Sequence, residues 1–199
     1  MSPPGVVPGS NIRDSEPVNL ANGFSGFSTT AFCIPERYVP YLDKVLVSNG
    51  MIKDRWIQIF FRLDRRIAKN NLVEKCSVVH SCIRPIDNAM PIKDKNILIV
   101  DDICDTGKTM VKLSDYLTEA GAKSVMTCCL LLKHTKLNIG YRPDFLGFEI
   151  PDQFIVGYAI DYNECFRDLS HICSINEKAK LSFTSHSDIE LGKLPAPTL

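Results

Sequence analysis

Between residues 97 and 110 a four-residue apolar run, Ile97-Leu98-Ile99-Val100, ends in Asp101 and Asp102 and then in a short polar stretch, Asp105-Thr106-Gly107-Lys108-Thr109. An unbroken apolar run bounded by polar residues reads as a strand covered on both faces, the kind found in parallel sheets. Behind the turn, Met110, Leu113, Leu117 and Ala120 recur at helical spacing, and Gly121 stands where a left-handed cap ends a helix. Ser124 to Leu132 is a second apolar strand, and Phe154 to Ala159 and Ile172 to Ile175 are further strand candidates, separated by Gly140, Pro143 and Pro151. Alternating strands and helices predict an α/β fold, a central parallel sheet flanked by helices with right-handed crossovers.

The remainder of the chain is less regular. From Met51 to Lys69 the residues Ile52, Trp56, Ile59, Phe60, Leu63 and Ile67 fall at helical spacing, with Lys53, Asp54, Arg62, Asp64 and Arg65 on other faces. Asn70 to Lys95 reads as irregular, with one β-prone run from Cys76 to His80. Residues 1–28, rich in proline, glycine and serine, and residues 178–199, polar and ending in Pro195 and Pro197, are expected to be loose tails around one domain at 29–177.

The strand that ends at Asp101 and Asp102 delivers carboxylates to the sheet edge at which open α/β folds bind their ligands. Gly107 permits a tight loop, so the amides from Thr106 to Met110 and the hydroxyls of Thr106 and Thr109 converge on an anion at the helix N-terminus. Gly-Lys-Thr is not a nucleoside-triphosphate loop, because that motif needs glycine where Asp102 stands. Helix capping alone would account for one polar residue. Three aspartates and two threonines in nine positions suit a phosphorylated, polyhydroxylated ligand.

Lysine plus arginine and aspartate plus glutamate both number 23, which argues against a nucleic-acid or membrane-surface partner. Cys33, Cys76, Cys82, Cys104, Cys128, Cys129, Cys165 and Cys173 form no C-x-x-C pair and read as reduced core residues. His80, His134, His171 and His186 fit no metal-ligand spacing. With no charged and apolar leader and no apolar run long enough to span a membrane, the expectation is a soluble, cytoplasmic protein.

The stretch Val100-Asp-Asp-Ile-Cys-Asp-Thr-Gly-Lys-Thr109 resembles the phosphoribosyl-pyrophosphate (PRPP) motif of type I phosphoribosyltransferases. Residues 142–169, from Arg142-Pro-Asp-Phe through Gly157-Tyr-Ala-Ile-Asp161 to Arg167-Asp-Leu, resemble the C-terminal part of animal hypoxanthine-guanine phosphoribosyltransferases. The similarity covers Phe32 to Arg55 and Lys95 to Glu177. It implies the type I phosphoribosyltransferase fold and purine salvage, in which hypoxanthine or guanine and PRPP become IMP or GMP and pyrophosphate. It also implies Mg2+ as cofactor and a homo-oligomer, dimer or tetramer.

Residue roles follow from the same resemblance. Asp101 and Asp102 match the pair that accepts from the ribose hydroxyls; the family usually has glutamate where Asp101 stands, one methylene longer. Asp105 matches the catalytic residue near purine N7, and Asp105, Thr106, Gly107, Lys108 and Thr109 match the loop around the 5-phosphate. Lys133 matches the donor to the purine 6-oxo group, Phe154 the ring stacked on the base, and Ile155 the position whose main chain meets the base edge. Asp161 matches a purine-site residue and magnesium ligand, and Arg167 a pyrophosphate contact.

One block departs from this pattern. Between Arg55 and the PRPP motif about forty residues of the family are missing, among them a Leu-Lys-Gly-Gly loop, core strands and a mobile Ser-Tyr loop; no glycine lies between Gly50 and Gly107. Part of the sheet is therefore expected to be lost, with apolar edges of the strand at Ile97 to Val100 or of its neighbours exposed. A purine-nucleotide-binding member that acts by hetero-oligomerisation stays open beside the active transferase.

Overall fold

A computed structural model of the chain describes residues 16–69, 76–80 and 92–183. Its elements in order are β1 (Val18–Asn19), β2 (Leu42–Val47), α1 (Asn49–Lys69), β3 (Cys76–His80), β4 (Asn96–Cys104), α2 (Lys108–Glu119), β5 (Ser124–His134), β6 (Phe145–Pro151), β7 (Ile155–Val156), β8 (Ile172–Ile175) and α3 (Glu177–Ser182). Five strands form one sheet in the order β1-β6-β5-β4-β3, and every neighbouring pair is parallel. The other three form a small antiparallel sheet, β2-β8-β7.

Alternation along β4 explains its unbroken apolar run. Ile97 and Ile99 pack with Met110 and Leu117 of α2, whereas Leu98 and Val100 share the opposite cluster with Ile59 of α1, Met126 and Cys128. A strand covered on both faces has no side that water favours, so it carries no polar alternation. Helix α2 ends as its sequence predicts: Gly121 has φ +88° and the Ala122 amide returns to the Leu117 carbonyl.

Helix α1 is held to β6 by a buried cation. Arg55, 3% exposed, donates to the main-chain carbonyls of Gly147 (3.0 Å), Leu146 (3.2 Å) and Glu16 (3.0 Å). Burial, with the charge of Arg62 second, lowers its pKa. Phe60, placed by periodicity on the buried face, is instead 67% exposed, because the helix turns Ile52, Arg55 and Ile59 inward. Ile67 lies outside the residues whose side chains are described.

The small sheet closes over the C-terminal end of the large one. Ile155, Ile172, Leu46 and Val47 share a cluster with Leu131, Phe148 and Ile150, with Ile103, Tyr158 and Ile160 packed against it. This joint places Ile103, near the end of β4, against the same cluster as Ile155, Tyr158 and Ile160.

Several expectations are corrected. Cys76–His80, within the stretch read as irregular, is a parallel strand in register with Asn96–Val100, so among the described residues the edge of the sheet on that side is β3, the neighbour of β4, and not β4 itself. The strand expected over Phe154 to Ala159 shrinks to Ile155–Val156, because Gly157, Tyr158 and Ala159 all have positive φ. Order reaches into both expected tails: Val18 and Asn19 pair with β6, and α3 starts at Glu177 on an Asn176 side-chain cap. Residues 1–15 and 184–199 of those tails, and Cys82 and His186, lie outside the described residues. Cys104, Cys128, Cys129 and Cys173 are buried as expected, while Cys33 is exposed.

Candidate active site

The large sheet brings its functional side chains to one edge. Asp101 and Asp102 lie in the C-terminal half of β4, followed by Ile103 and Cys104, Lys133 stands one residue from the end of β5, and the register Cys104↔Leu132 and Lys133↔Ile150 brings the three strands to one edge. Asp101 Oδ1 accepts from the Asp102 amide at 3.0 Å, so the two carboxylates sit side by side. Burial, and then the adjacent Asp101 charge, raises the pKa of Asp102. That is the cost of keeping two acids in a half-buried edge where, among the described residues, no cation pairs with them.

Beyond Cys104 the chain turns through Asp105, Thr106 and Gly107 into α2. Gly107 has φ +82°, and Lys108 and Thr109 are exposed in the first turn. The Lys108 amide is 3.4 Å from the Thr106 hydroxyl. Lys133 Nζ lies 3.5 Å from the half-exposed Asp105 carboxylate, while its own stem is largely buried. A cation and a carboxylate thus meet beside the Gly107 turn, a geometry suited to holding a base and exchanging a proton with it.

A loop that sequence reading treated only as punctuation supports this turn. The Ile139 amide donates to the Thr106 carbonyl (3.1 Å) and the Asn138 side chain to the Asp105 carbonyl (3.3 Å). Tyr141 packs on Gly107, and its hydroxyl donates to Thr127 (2.9 Å), which donates in turn to Asp144 (3.1 Å). Burial pushes the Tyr141 phenol up to about 12, so it remains a neutral donor. The Asn-Ile-Gly triplet at 138–140 is the one local signal that would have pointed here, since asparagine two residues before glycine favours a side-chain-capped turn.

The third group of predicted residues follows β6. Phe154 is 57% exposed, edge-on to Tyr162 with ring centroids 6.1 Å apart, and Lys180 Nζ lies 4.9 Å from its ring centre. Its carbonyl accepts from Ile175, which ties it to β8, and Ile155 is buried in that pairing. Arg167 lies 2.9 Å from Asp161 and 3.2 Å from Glu164, and donates to the Ala159 carbonyl at 3.0 Å. Asp161 also accepts from the Glu164 amide at 2.8 Å. Among the described residues no three His, Cys, Asp or Glu side chains gather as a metal cage. Asp161 offers one carboxylate, which suits a magnesium ion that keeps waters and takes its other oxygens from a phosphorylated substrate.

Residues 59–163 match the phosphoribosyl transferase domain. Hypoxanthine-guanine phosphoribosyltransferase of Mus spretus is 34% identical over 212 residues, covering 85% of this chain and 95% of that protein. The chain belongs to the hypoxanthine-guanine phosphoribosyltransferase family. The Homo sapiens enzyme of this name is 33% identical over 223 residues, covering 90% of this chain and 97% of the relative. The crystal structure of the Schistosoma mansoni enzyme in complex with IMP superposes with a TM-score of 0.79 at 37% identity, covering 84% of this chain and 98% of that one. The 212 aligned positions of the mouse relative draw on 85% of a 199-residue chain, so about forty of them face no residue here. The fold of this family survives that gap.

Proposed function

We propose that this chain moves the 5-phosphoribosyl group of PRPP to hypoxanthine or guanine, forming IMP or GMP and pyrophosphate in purine salvage. The observation that carries this reading is that adjacent parallel strands bring Asp101, Asp102, the Gly107 turn and the Lys133–Asp105 pair to the same C-terminal end of the sheet. Asp101 and Asp102 accept from the two ribose hydroxyls, and the Thr106–Met110 amides with the Thr106 and Thr109 hydroxyls hold the 5-phosphate beside Lys108. Lys133 donates to the 6-oxo group, which selects hypoxanthine and guanine over adenine. Phe154 stacks on the base and the Ile155 main chain meets its edge.

As the ring nitrogen bonds to ribose C1 and pyrophosphate leaves, positive charge builds on the sugar and negative charge on the leaving group. Asp105 takes the proton that the purine sheds at N7, and Arg167 releases Asp161 to meet the pyrophosphate. Magnesium, held through Asp161 and the substrate's own oxygens, would neutralise charge on the departing pyrophosphate. A homo-oligomer, dimer or tetramer, in the cytoplasm belongs to this reading, supported by the family likeness.

The test is incubation of the purified chain, near-stoichiometric with PRPP, magnesium and labelled hypoxanthine. The monophosphate is expected, with Asp105→Asn slower by about a hundredfold. No product from a chain that still binds PRPP would overturn the proposal.

A further inference from the structure

We infer that Asn138 is a positioning residue: it sets the Asp105–Thr106 peptide and through it the affinity for the PRPP phosphate, an inference that rests on the PRPP reading of this turn. Asn138 uses both ends of its side-chain amide. The oxygen accepts from the Gly140 amide at 2.8 Å and the Tyr141 amide at 3.0 Å, which closes the 138–141 turn. The nitrogen reaches across to the Asp105 carbonyl at 3.3 Å. A residue that only capped its own turn would need the first half alone.

The second half has a directional consequence. In a trans peptide the C=O and the N–H point opposite ways. Drawing the Asp105 carbonyl back toward Asn138 therefore turns the Thr106 N–H forward, away from the supporting loop and toward the ligand side of the turn. Among the described residues no acceptor takes that N–H. The following peptide is tied as well, through the Ile139 amide on the Thr106 carbonyl. The Lys133 ammonium pairs with the carboxylate of the same Asp105 at 3.5 Å. Asn138 thus fixes the main chain of a residue whose side chain Lys133 pairs with, and the donor presented to phosphate needs no reorganisation on binding.

The variant Asn138→Asp separates the two halves, since a carboxylate still accepts from Gly140 and Tyr141 but donates nothing to Asp105. PRPP affinity is read by calorimetry on the full chain, at low salt and at about 0.5 M salt, where repulsion by an exposed charge is screened and a lost donor is not. The expected result is a PRPP dissociation constant raised about fivefold or more at both salts. Melting temperature and the KM for hypoxanthine stay unchanged. Unchanged PRPP affinity, or a loss that vanishes in salt, overturns the role of Asn138 alone. A wild-type chain that binds no PRPP overturns the PRPP reading and this inference with it.

Discussion

Tyr141 lies so close against Gly107 that a β-carbon on the glycine would come within 2.4 Å of the tyrosine β-carbon. The glycine also has φ +82°, where a side chain is strained even in open space. Gly107→Ala is therefore expected to destabilise the protein by about 2–4 kcal/mol and to weaken PRPP binding more than about tenfold, as the turn and its tyrosine support separate. Thermal unfolding and calorimetric titration of the variant check both.

Asp102 illustrates a site that costs stability. Its folded pKa is raised, first by burial and then by Asp101, so the folded state disfavours its charge. A carboxyl whose pKa rises on folding withdraws stability as pH climbs from its unfolded value of 3.8 through the raised one. Asp102→Asn should raise the melting temperature at neutral pH and flatten that acid-side trend, while weakening PRPP binding by about tenfold through the lost charge-assisted hydrogen bond. A variant that melts lower, or binds PRPP as the wild type does, contradicts this account.

His171 predicts a pH dependence of opposite sign. Its Nδ1 accepts from the Asn49 amide at 2.9 Å, so the neutral ring caps the first turn of α1, and burial lowers its pKa. The unfolded chain then binds the proton more readily, and stability rises with pH. The contribution is complete above 6.5 and is lost as pH falls from there through the depressed native value. In His171→Gln, chemical denaturation from pH 5 to 7 should lose most of this slope, and an unaltered slope would exclude the histidine cap.

How legible each element was depends on where its partners sit in the chain. The unit β4–α2–β5 could be read directly, because covering a strand on both faces demands an apolar run and the helix that follows supplies its own period and glycine cap. Strand β6 was missed because Gly147 and Glu149 interrupt its pattern. Both are explained by neighbours outside the strand: a β-carbon at 147 would meet the Leu130 carbonyl at 2.4 Å. Glu149, 6% exposed, is bonded by Arg142 and His134, each at 2.6 Å. Burial pushes its carboxyl up, and those two hydrogen bonds more than reverse the shift, leaving its pKa below the usual range.

The candidate site divides along the same line. Asp101, Asp102, Asp105 and the Gly107 turn were visible because one strand and one loop present them together. The pairing of Lys133 with Asp105, and of Arg167 with Asp161, carries no local signature; those positions came from resemblance to a family. Asn138 and Tyr141 went unnoticed because their role lies in what they touch at residues 105 and 107, more than thirty positions earlier.

By itself, then, the order of residues determined the parallel core, the turn that ends in Gly107 and the acids it carries, since periodicity, capping and φ preference act within a few residues. Tertiary structure decided the rest: that β3 closes the edge of β4, that β2, β7 and β8 form a second sheet over the strand ends, and that the 138–141 loop braces the turn. Those outcomes depend on contacts between segments distant in the chain, and whether such contacts form is settled by packing and hydrogen-bond satisfaction across the whole fold rather than by any local pattern.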